Sequence, residues 1–567
     1  MLWRAVAQAS WPIALCAVAL PAPAHSQPRP DAGTLQEPQR LLPALPTPGE
    51  PRVILPPATP PDAAPATVRI IPTEFRLEGN RIFATPVLAQ LLASRVNQPT
   101  DLAGLQEAAR QIKAFYQTQG YLLTDVYVPQ QALRAEGGPV VLAVVEAHVG
   151  DVTVRVQGSG TPAAGAYELV RTYLRRGDPV TADGLDKPVL LLRDLAGHEA
   201  VATVEPGAQA GLVNVLIDVR AAPARVETSL GLDNHGTRAA GATRVFATLD
   251  APNLTGNGDT LSVRAQLADP VDTRLLRLSY SFAVRGVTRA NLSAARTGYA
   301  LGRQFAALGA RGRADVLGAS VLHPLIRSRT HNLYLSAGLE HKQLHDETHA
   351  SPATDRRILT SHAGVLGNFT DGLLGGAFNS YAARLTAGTV RLDDASLAAD
   401  QGPGGPRTAG QFTKLSIEAQ RTQFWPGGLN LQTTLQGQIA SKNLASAEKM
   451  SLGGPSGVRG YPVGEAVGDS GAILGLELRY PLGATLAGAP VSLAAFYDVG
   501  TVTFNQQGNP LGPNQVTLDS AGVGLLAGRA GDYLLNASLA WRIGSPLPSG
   551  GEPDRSPRLW LTTQKWF

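Results

Sequence analysis

Few residues in this sequence have the types and spacings that enzyme chemistry requires. Gly522, Gly524 and Gly528 are spaced somewhat like a nucleotide-binding loop, but the last interval is wrong for GxGxxG and no β-α-β pattern surrounds them. The ten histidines show neither HExxH nor a paired metal-ligand spacing, and no GxSxG motif occurs. Asp393 and Asp394 lie in a polar loop, where carboxylates are ordinarily solvated. We therefore predict no catalytic residue, no metal ligand and no cofactor.

One arginine stands in a setting that suggests a structural role. Arg459 lies in the stretch Leu452–Pro462, which has glycines at positions 453, 454, 457 and 460. Glycines allow a loop to turn sharply and to approach another backbone closely. An arginine that enters a protein interior needs a partner, and a carboxylate can bind it through two parallel hydrogen bonds. The alternative is a glycine-rich surface hairpin whose arginine is solvated.

The N-terminus predicts export, and the composition argues against nucleic acid as a partner. Residues 1–26 have the features of a signal peptide: Arg4, the short apolar stretch Trp11–Leu20, and small residues suited to cleavage. The alternative is a buried N-terminal helix. The only cysteine, Cys16, lies in the predicted signal, so the mature protein would have no disulfide. A formal charge of +4 gives no strong basic field.

The part that follows the predicted signal divides into a linker and two similar units. Residues 27–67 are rich in proline, which favours an extended linker, with a short helix near Leu35–Leu42 as one option. Residues 68–147 and 148–222 each show the order β-α-α-β-β. In the helix predicted over Asp101–Gln119, apolar residues recur at helical spacing. Each unit therefore predicts a small sheet with two helices on one face.

From residue 223 to residue 567 the pattern is β throughout. Segments of about ten residues alternate apolar and polar side chains, and Gly, Pro, Asn and Asp separate them. For example, Leu276 and Leu278 alternate with Arg277 and Ser279. We count roughly 16 such segments, an even number as in bacterial single-chain barrels. The polar face is large and aromatic residues are few, but periodicity alone leaves a soluble β-sandwich as the alternative. The strand length, the predicted signal peptide and the C-terminal Trp566 and Phe567 favour a membrane β-barrel, which we predict.

These features together resemble the TpsB family of two-partner secretion transporters (the haemolysin/haemagglutinin secretion and activation type), within the wider POTRA-plus-barrel assembly superfamily. Val458, Arg459, Gly460 and Tyr461 match the family's VRGY motif, at the tip of a long sixth loop that folds into the lumen. The stretch Phe496–Gly500 resembles the barrel-wall motif, with its aspartate at Asp498 and a glycine at Gly500. The resemblance implies a bond between Arg459 and Asp498. By our strand count the loop joins strands 11 and 12 and Asp498 lies on strand 13.

The resemblance also implies the architecture and the C-terminus. The fold is then mainly β: a C-terminal 16-stranded transmembrane antiparallel β-barrel preceded by two α/β POTRA domains. Phe567 corresponds to the terminal residue of the family's C-terminal assembly signal, with Leu559 and Leu561 in phase, while Thr563 and Lys565 depart from that pattern. The family often has an N-terminal helix that plugs the pore.

The function that the resemblance implies is outer-membrane export of one dedicated partner exoprotein, which the periplasmic POTRA domains capture. The expected partners are that exoprotein, outer-membrane lipid and, during biogenesis, the barrel-assembly machinery. No nucleic acid and no cofactor are expected, and the protein is expected not to be an enzyme. A barrel-assembly or insertion factor and a porin-like channel are the alternatives.

Overall fold

The chain is described by a computed structural model. It covers residues 30–35, 51–55, 69–132, 134, 137–158, 163–221, 225–269, 273–349, 353–508, 513–529, 531–544 and 555–567. The predicted signal peptide lies outside the described residues. So does nearly all of the short helix considered near Leu35–Leu42, because residues 36–50 are not described.

The first α/β structure, unit 1, follows the predicted element order. Its elements are β2 (Pro72–Glu78), α1 (Thr85–Leu91), α2 (Leu102–Thr118), β3 (Asp125–Tyr127) and β4 (Gly138–Val145). The sheet order is β2-β4-β3, which leaves β2 and β3 as edge strands. Asp101 caps α2 by accepting a hydrogen bond from the amide of Gly104, and Gly120 ends the helix with a positive φ. The apolar face of α2 packs on the sheet through Leu105, Ile112 and Tyr116.

The second α/β structure, unit 2, repeats the same order. Its elements are β5 (His148–Gln157), α3 (Ala163–Tyr173), α4 (Ala182–Arg193), β6 (His198–Pro206) and β7 (Leu212–Ala221). The hydroxyl of Thr181 caps α4 by accepting from the amide of Gly184. Leu185, Val189 and Leu192 are buried against the sheet. The sheet has a fourth strand, β1 (Arg52–Ile54), which lies parallel to β6 at the edge.

Sixteen strands close into an antiparallel barrel, as the sequence pattern predicts. In chain order they are β8 (Glu227–Asp233), β9 (Thr243–Pro252), β10 (Thr260–Asp269), β11 (Thr273–Arg285), β12 (Thr288–Ala300), β13 (Arg311–Arg327), β14 (His331–Glu347), β15 (Thr354–Asp371), β16 (Ala377–Leu392), β17 (Gly410–Phe424), β18 (Asn430–Ala440), β21 (Ser470–Leu486), β22 (Ala489–Thr503), β23 (Gln515–Arg529), β24 (Tyr533–Arg542) and β25 (Arg558–Trp566). The short strands β19 (Met450–Ser451) and β20 (Val467–Gly468) and the helix α5 (Asp394–Gln401) lie in loops.

The two faces of the barrel wall differ as a membrane barrel requires. Outward side chains such as Leu317, Leu339 and Leu385 are exposed, whereas inward residues such as Asn332 and Asp498 are buried. An apolar outer face beside a polar interior is the arrangement of a barrel in lipid, and it excludes the soluble sandwich. Within the described residues, no helix has the length and the apolar character needed to cross a membrane.

Unit 2 is attached to the short turns at one end of the barrel. Arg327 binds Asp194 through two hydrogen bonds of 2.8 Å, and the neighbouring Arg329 binds Asp186 of α4. Arg327 ends β13, and Arg329 lies in the turn between β13 and β14. The end with short turns therefore faces the α/β units. The long loops, among them loop L6 (residues 441–469), lie at the opposite end.

The interpretation of residues 27–67 as a plain linker is incomplete. Residues 30–35, the N-terminal segment, lie inside the barrel near the long loops, with Ala32 buried among residues of the wall and of loop L6. Arg52–Ile54 form strand β1 on unit 2, at the other end of the barrel. The sequence does not predict these roles, because neither segment is long enough to show a periodicity and both stand among prolines.

Candidate functional site

Loop L6 folds into the barrel and packs against its wall. Strands β19 and β20 pair as a short ladder at the base of the loop. Beyond them, Leu452, Val458 and Tyr461 are fully buried, in contact with Ile473 and Val502 of the wall. Burial of large apolar side chains holds the loop tip in place, which excludes the alternative of a solvated surface hairpin. The loop joins the eleventh and twelfth barrel strands, β18 and β21, as expected.

The loop tip places Arg459 against Asp498 of β22, the thirteenth strand. The Nε and Nη2 atoms of Arg459 each lie 2.8 Å from a different carboxylate oxygen of Asp498, and the Arg459 amide donates to the same carboxylate over 3.2 Å. This is bidentate geometry, which adds directional specificity to the attraction between the charges. Only 3% of the Asp498 side chain is exposed. Burial would lower the pKa of Arg459, but Asp498 and Glu477 outweigh it and raise that pKa, so the guanidinium stays charged.

Three further residues surround Arg459, and the sequence analysis assigned none of them to it. Glu477 of β21 accepts from Nη1 of Arg459 and from Nε of Arg479. The ring centroid of Phe496 lies 3.4 Å from the guanidinium carbon, a cation–π contact. The indole of Trp560, on the last strand, donates to the Arg459 carbonyl over 2.7 Å. Phe496 begins the stretch that resembles the barrel-wall motif, whereas nothing local in the sequence indicates a contact between Trp560 and Arg459.

Gly460 and Gly500 are required because other atoms approach them closely. A Cβ on Gly460 would lie 2.7 Å from the Cβ of Ser520 and 3.2 Å from the backbone of Arg542. A Cβ on Gly500 would lie 3.0 Å from Leu452, a buried residue of loop L6. The glycines of both motifs therefore allow the loop to touch the wall. The four residues of the VRGY motif are thus brought together with Asp498 and Gly500.

A second ion cluster holds the base of loop L6. The carboxylate of Glu448 binds Lys342 at 2.7 Å and Lys414 at 2.8 Å, and its backbone carbonyl accepts from Gln438. Burial would raise the pKa of Glu448, but Lys414 and Lys342 lower it to about 2. Close by, Asp469 at the end of the loop is fully buried and binds Lys449. The loop is therefore fixed at its base as well as at its tip.

The N-terminal segment is bound to the same region. Asp31 binds Arg356 of the wall at 2.8 Å and accepts from the hydroxyl of Ser446 in loop L6 at 2.7 Å. The amide of Ala32 donates to Asp346 over 2.8 Å. Burial opposes ionisation of Asp31, yet Arg356 and the hydrogen bonds from the Thr34 amide and the Ser446 hydroxyl lower its pKa. The segment occupies the long-loop end of the lumen as a turn, and no helix is formed by residues 30–35.

Phe567 lies away from this site, at the short-turn end of the barrel. Its side chain is exposed on the outer face, and its amide donates to the carbonyl of Thr228 in β8 over 2.9 Å. This bond lies beside the seam where β25 meets β8 and closes the barrel. Its role in assembly stays a prediction.

The fold and the site together define a class of protein. A closed sixteen-stranded barrel, two α/β units at its short-turn end and a long loop latched inside its lumen are the parts of an outer-membrane transporter of the POTRA-plus-barrel class. The model of the haemolysin secretion/activation protein family ShlB/FhaC/HecB matches residues 211–526, and that of the ShlB-type POTRA domain matches residues 70–147. The chain therefore belongs to the haemolysin secretion/activation family, and its POTRA units lie in the periplasm.

Individual relatives and solved structures agree with this assignment. The chain is 28% identical over 496 residues to the heme/hemopexin transporter protein HuxB of Haemophilus influenzae, covering 86% of this chain and 85% of the relative. It is 22% identical over 420 residues to the outer membrane transporter CdiB of Dickeya dadantii, covering 72% of each. The structure of CdiB from Escherichia coli has the same fold, with a TM-score of 0.67, 19% identity, and coverage of 90% of this chain and 92% of that one.

Proposed function

We propose that this transporter exports one dedicated protein partner in two-partner (type V) secretion, and that the contacts of Arg459 latch the resting lumen. The observation that carries this proposal is that loop L6 and the N-terminal segment both lie inside the lumen and are bound to its wall. Two segments held inside the lumen by ion pairs would obstruct a porin-like channel. A transporter that moves an occasional unfolded chain needs such a closed resting state.

The periplasmic units supply edges on which a client strand can pair. In unit 2 the strand β1 covers β6, so the edge strands of that sheet are β5 and β1, which has only three residues. In unit 1 both β2 and β3 are edge strands, and the exposed side chains of Ile71 and Tyr127 lie beside or on them. Strand addition gives affinity through main-chain hydrogen bonds and specificity through side-chain contacts. We infer that unit 1 makes the first contact with the client.

Deletion of the gene tests the proposal, with the released and surface proteins compared between parent and mutant. We expect one large exoprotein to disappear while the other outer-membrane proteins stay at their normal levels, and a plasmid copy of the gene should restore it. A general fall in outer-membrane barrels would instead favour an assembly factor. If all released and surface proteins were unchanged while the exoprotein was being synthesised, the export proposal would be wrong.

A further inference from the structure

Six arginines lie on one sector of the outer surface of the barrel, at the long-loop end. In the cross-strand registers these residues share a face with outward leucines, so their side chains point away from the lumen. All of them are exposed. This surface, the basic rim, comprises Arg274, Arg296, Arg311, Arg313, Arg357 and Arg391.

Some arginines of the basic rim pair with neighbouring carboxylates. Arg296 and Arg313 both pair with Asp315, at 2.5 and 2.9 Å, and Arg311 pairs with Glu347. Such exposed pairs contribute little to stability, but they satisfy the charges locally. Each of these arginines therefore has a carboxylate partner on the barrel itself.

Arg357 and Arg391 are in a different situation. They are directly opposite each other on β15 and β16, so their Cβ atoms lie about 5 Å apart. Like charges that face each other across two strands destabilise the sheet unless an anion lies between them. Among the described residues neither arginine forms an ion pair. The nearby Asp355 binds His345 at 3.0 Å, and Asp393 caps α5 by accepting from Ser396 at 2.9 Å.

The position of the pair identifies the kind of anion. On β15, Arg357 is one outward position beyond Leu359, which is 56% exposed and belongs to the apolar band. The two guanidiniums therefore lie at the boundary between the acyl chains and the headgroups of the outer leaflet. From β17 to β25, no outward position described in the long-loop half of the strands carries Arg or Lys. The charge is thus local to one sector of the barrel.

We propose that Arg357 and Arg391 form a binding site for a phosphate group on an outer-leaflet lipid. Each guanidinium can donate two hydrogen bonds to phosphate oxygens, and one phosphate between them removes the repulsion. Gln343, opposite Arg357 on β14 and also outward, is positioned as a third donor. The apolar band below would contact the acyl chains of the same molecule. The proposal of this lipid site depends on the orientation of the barrel in the membrane and not on which protein is exported. A negative result here would therefore leave the export proposal untouched.

Native mass spectrometry of the purified full chain with added lipid A tests this site. Wild-type protein should retain lipid A, and the double variant Arg357→Gln/Arg391→Gln should bind it at least about tenfold more weakly, since two charge-assisted contacts are lost. The matched control is Arg296→Gln, whose guanidinium already pairs with Asp315, and its affinity should stay within about twofold of the wild type. The double variant should unfold at a temperature no lower than that of the wild type, since it removes a repulsion.

Two further probes identify the source of the phosphate. Lipid A from which both phosphates have been removed should bind wild-type protein as weakly as intact lipid A binds the double variant. Inorganic phosphate at equal concentration should displace no lipid. Equal binding of intact lipid A by the wild type and a folded double variant, or of phosphorylated and dephosphorylated lipid by the wild type, would overturn the proposal. Displacement of lipid A by inorganic phosphate would show that the lipid is not the occupant of this site.

Discussion

The indole Nε1 of Trp560 donates to the backbone carbonyl of Arg459 over 2.7 Å, which joins the last barrel strand to the tip of loop L6. Arg459 in turn binds Asp498 on the thirteenth strand and Glu477 on the twelfth. The last strand and the neighbouring twelfth and thirteenth strands therefore meet at one residue of the loop. We infer that the position of the loop tip and the shape of the lumen depend on each other.

Replacing Arg459 with alanine should reduce secretion far more than insertion of the barrel. The change leaves Asp498 and Glu477 buried without their main partner, which typically costs about 3–5 kcal/mol for a broken buried pair. The barrel wall keeps its backbone ladders, so we expect normal surface levels. The measurement is the amount of exported partner per folded transporter, the latter scored by heat-dependent gel migration. Normal secretion at normal surface levels would contradict the latch.

Replacing Trp560 with phenylalanine should loosen the loop tip without removing the latch. Phenylalanine keeps the ring but has no N–H, so the Arg459 carbonyl loses one hydrogen bond, worth about 0.5–1.5 kcal/mol. We expect proteases added outside cells to cut loop L6 several-fold faster, while secretion falls less than in Arg459→Ala. An unchanged cleavage rate would show that this bond does not hold the loop.

Glycine 460 offers a steric test of the contact between loop and wall. Gly460→Ala places a methyl group 2.7 Å from the Cβ of Ser520, so the loop tip must move away from the wall. Secretion should fall. Gly298→Ala is the matched control, because a Cβ at Gly298 meets nothing within 4 Å. Equal secretion by the two variants would show that close contact at the tip is dispensable.

The cluster at the base of loop L6 should make barrel stability depend on acid. The pKa of Glu448 falls from its ordinary 4.5 to about 2 in the folded protein. A lowered pKa stabilises the folded state fully above pH 4.5, and this contribution is lost as the pH falls towards 2. We expect the unfolding temperature to drop over that range in the wild type and to drop less in Glu448→Gln. Identical pH profiles for the two proteins would contradict this assignment.

Freeing the N-terminal segment should open the lumen. Asp31→Ala removes the partner of Arg356 and of Ser446. We expect a higher mean conductance for this variant than for the wild type in planar bilayers. Thr34→Ala is the control, because among the described residues the Thr34 side chain forms hydrogen bonds only with the backbone of Asp31 in the same segment. Equal conductance of Asp31→Ala and wild type would mean that this contact does not hold the segment.

The sequence was sufficient to predict the secondary-structure elements that follow from local residue patterns. Alternation of residues such as Leu276 and Arg277 follows from the pleat of a strand, so the number of barrel strands could be counted. The place of loop L6 followed from that count. The pairing of Arg459 with Asp498 came from family resemblance, since nothing in the spacing of residues 39 positions apart indicates a contact.

What could not be predicted depends on contacts between distant parts of the chain. Asp31 meets Ser446 across 415 positions, and Trp560 meets Arg459 across 101. In the sequence Glu448 is an ordinary loop carboxylate, and only the fold places Lys342 and Lys414 beside it. The fourth strand of unit 2, Arg52–Ile54, is too short to show a period and stands beside prolines, which are uncommon in sheets. Such features arise from contacts between distant segments of the folded chain rather than from local propensity.

The central claim, that a client protein passes through this lumen, can be tested at two adjacent residues of β13. Ser320 faces the lumen, whereas Val321 points outward and is 44% exposed. A photo-crosslinking residue would be placed at each position in turn, and cells would be irradiated while they secrete. If the client passes through the lumen, we expect an adduct with one large exoprotein from position 320 and none from position 321. Absence of that adduct at position 320 in secreting cells, or equal adducts at both positions, would contradict it.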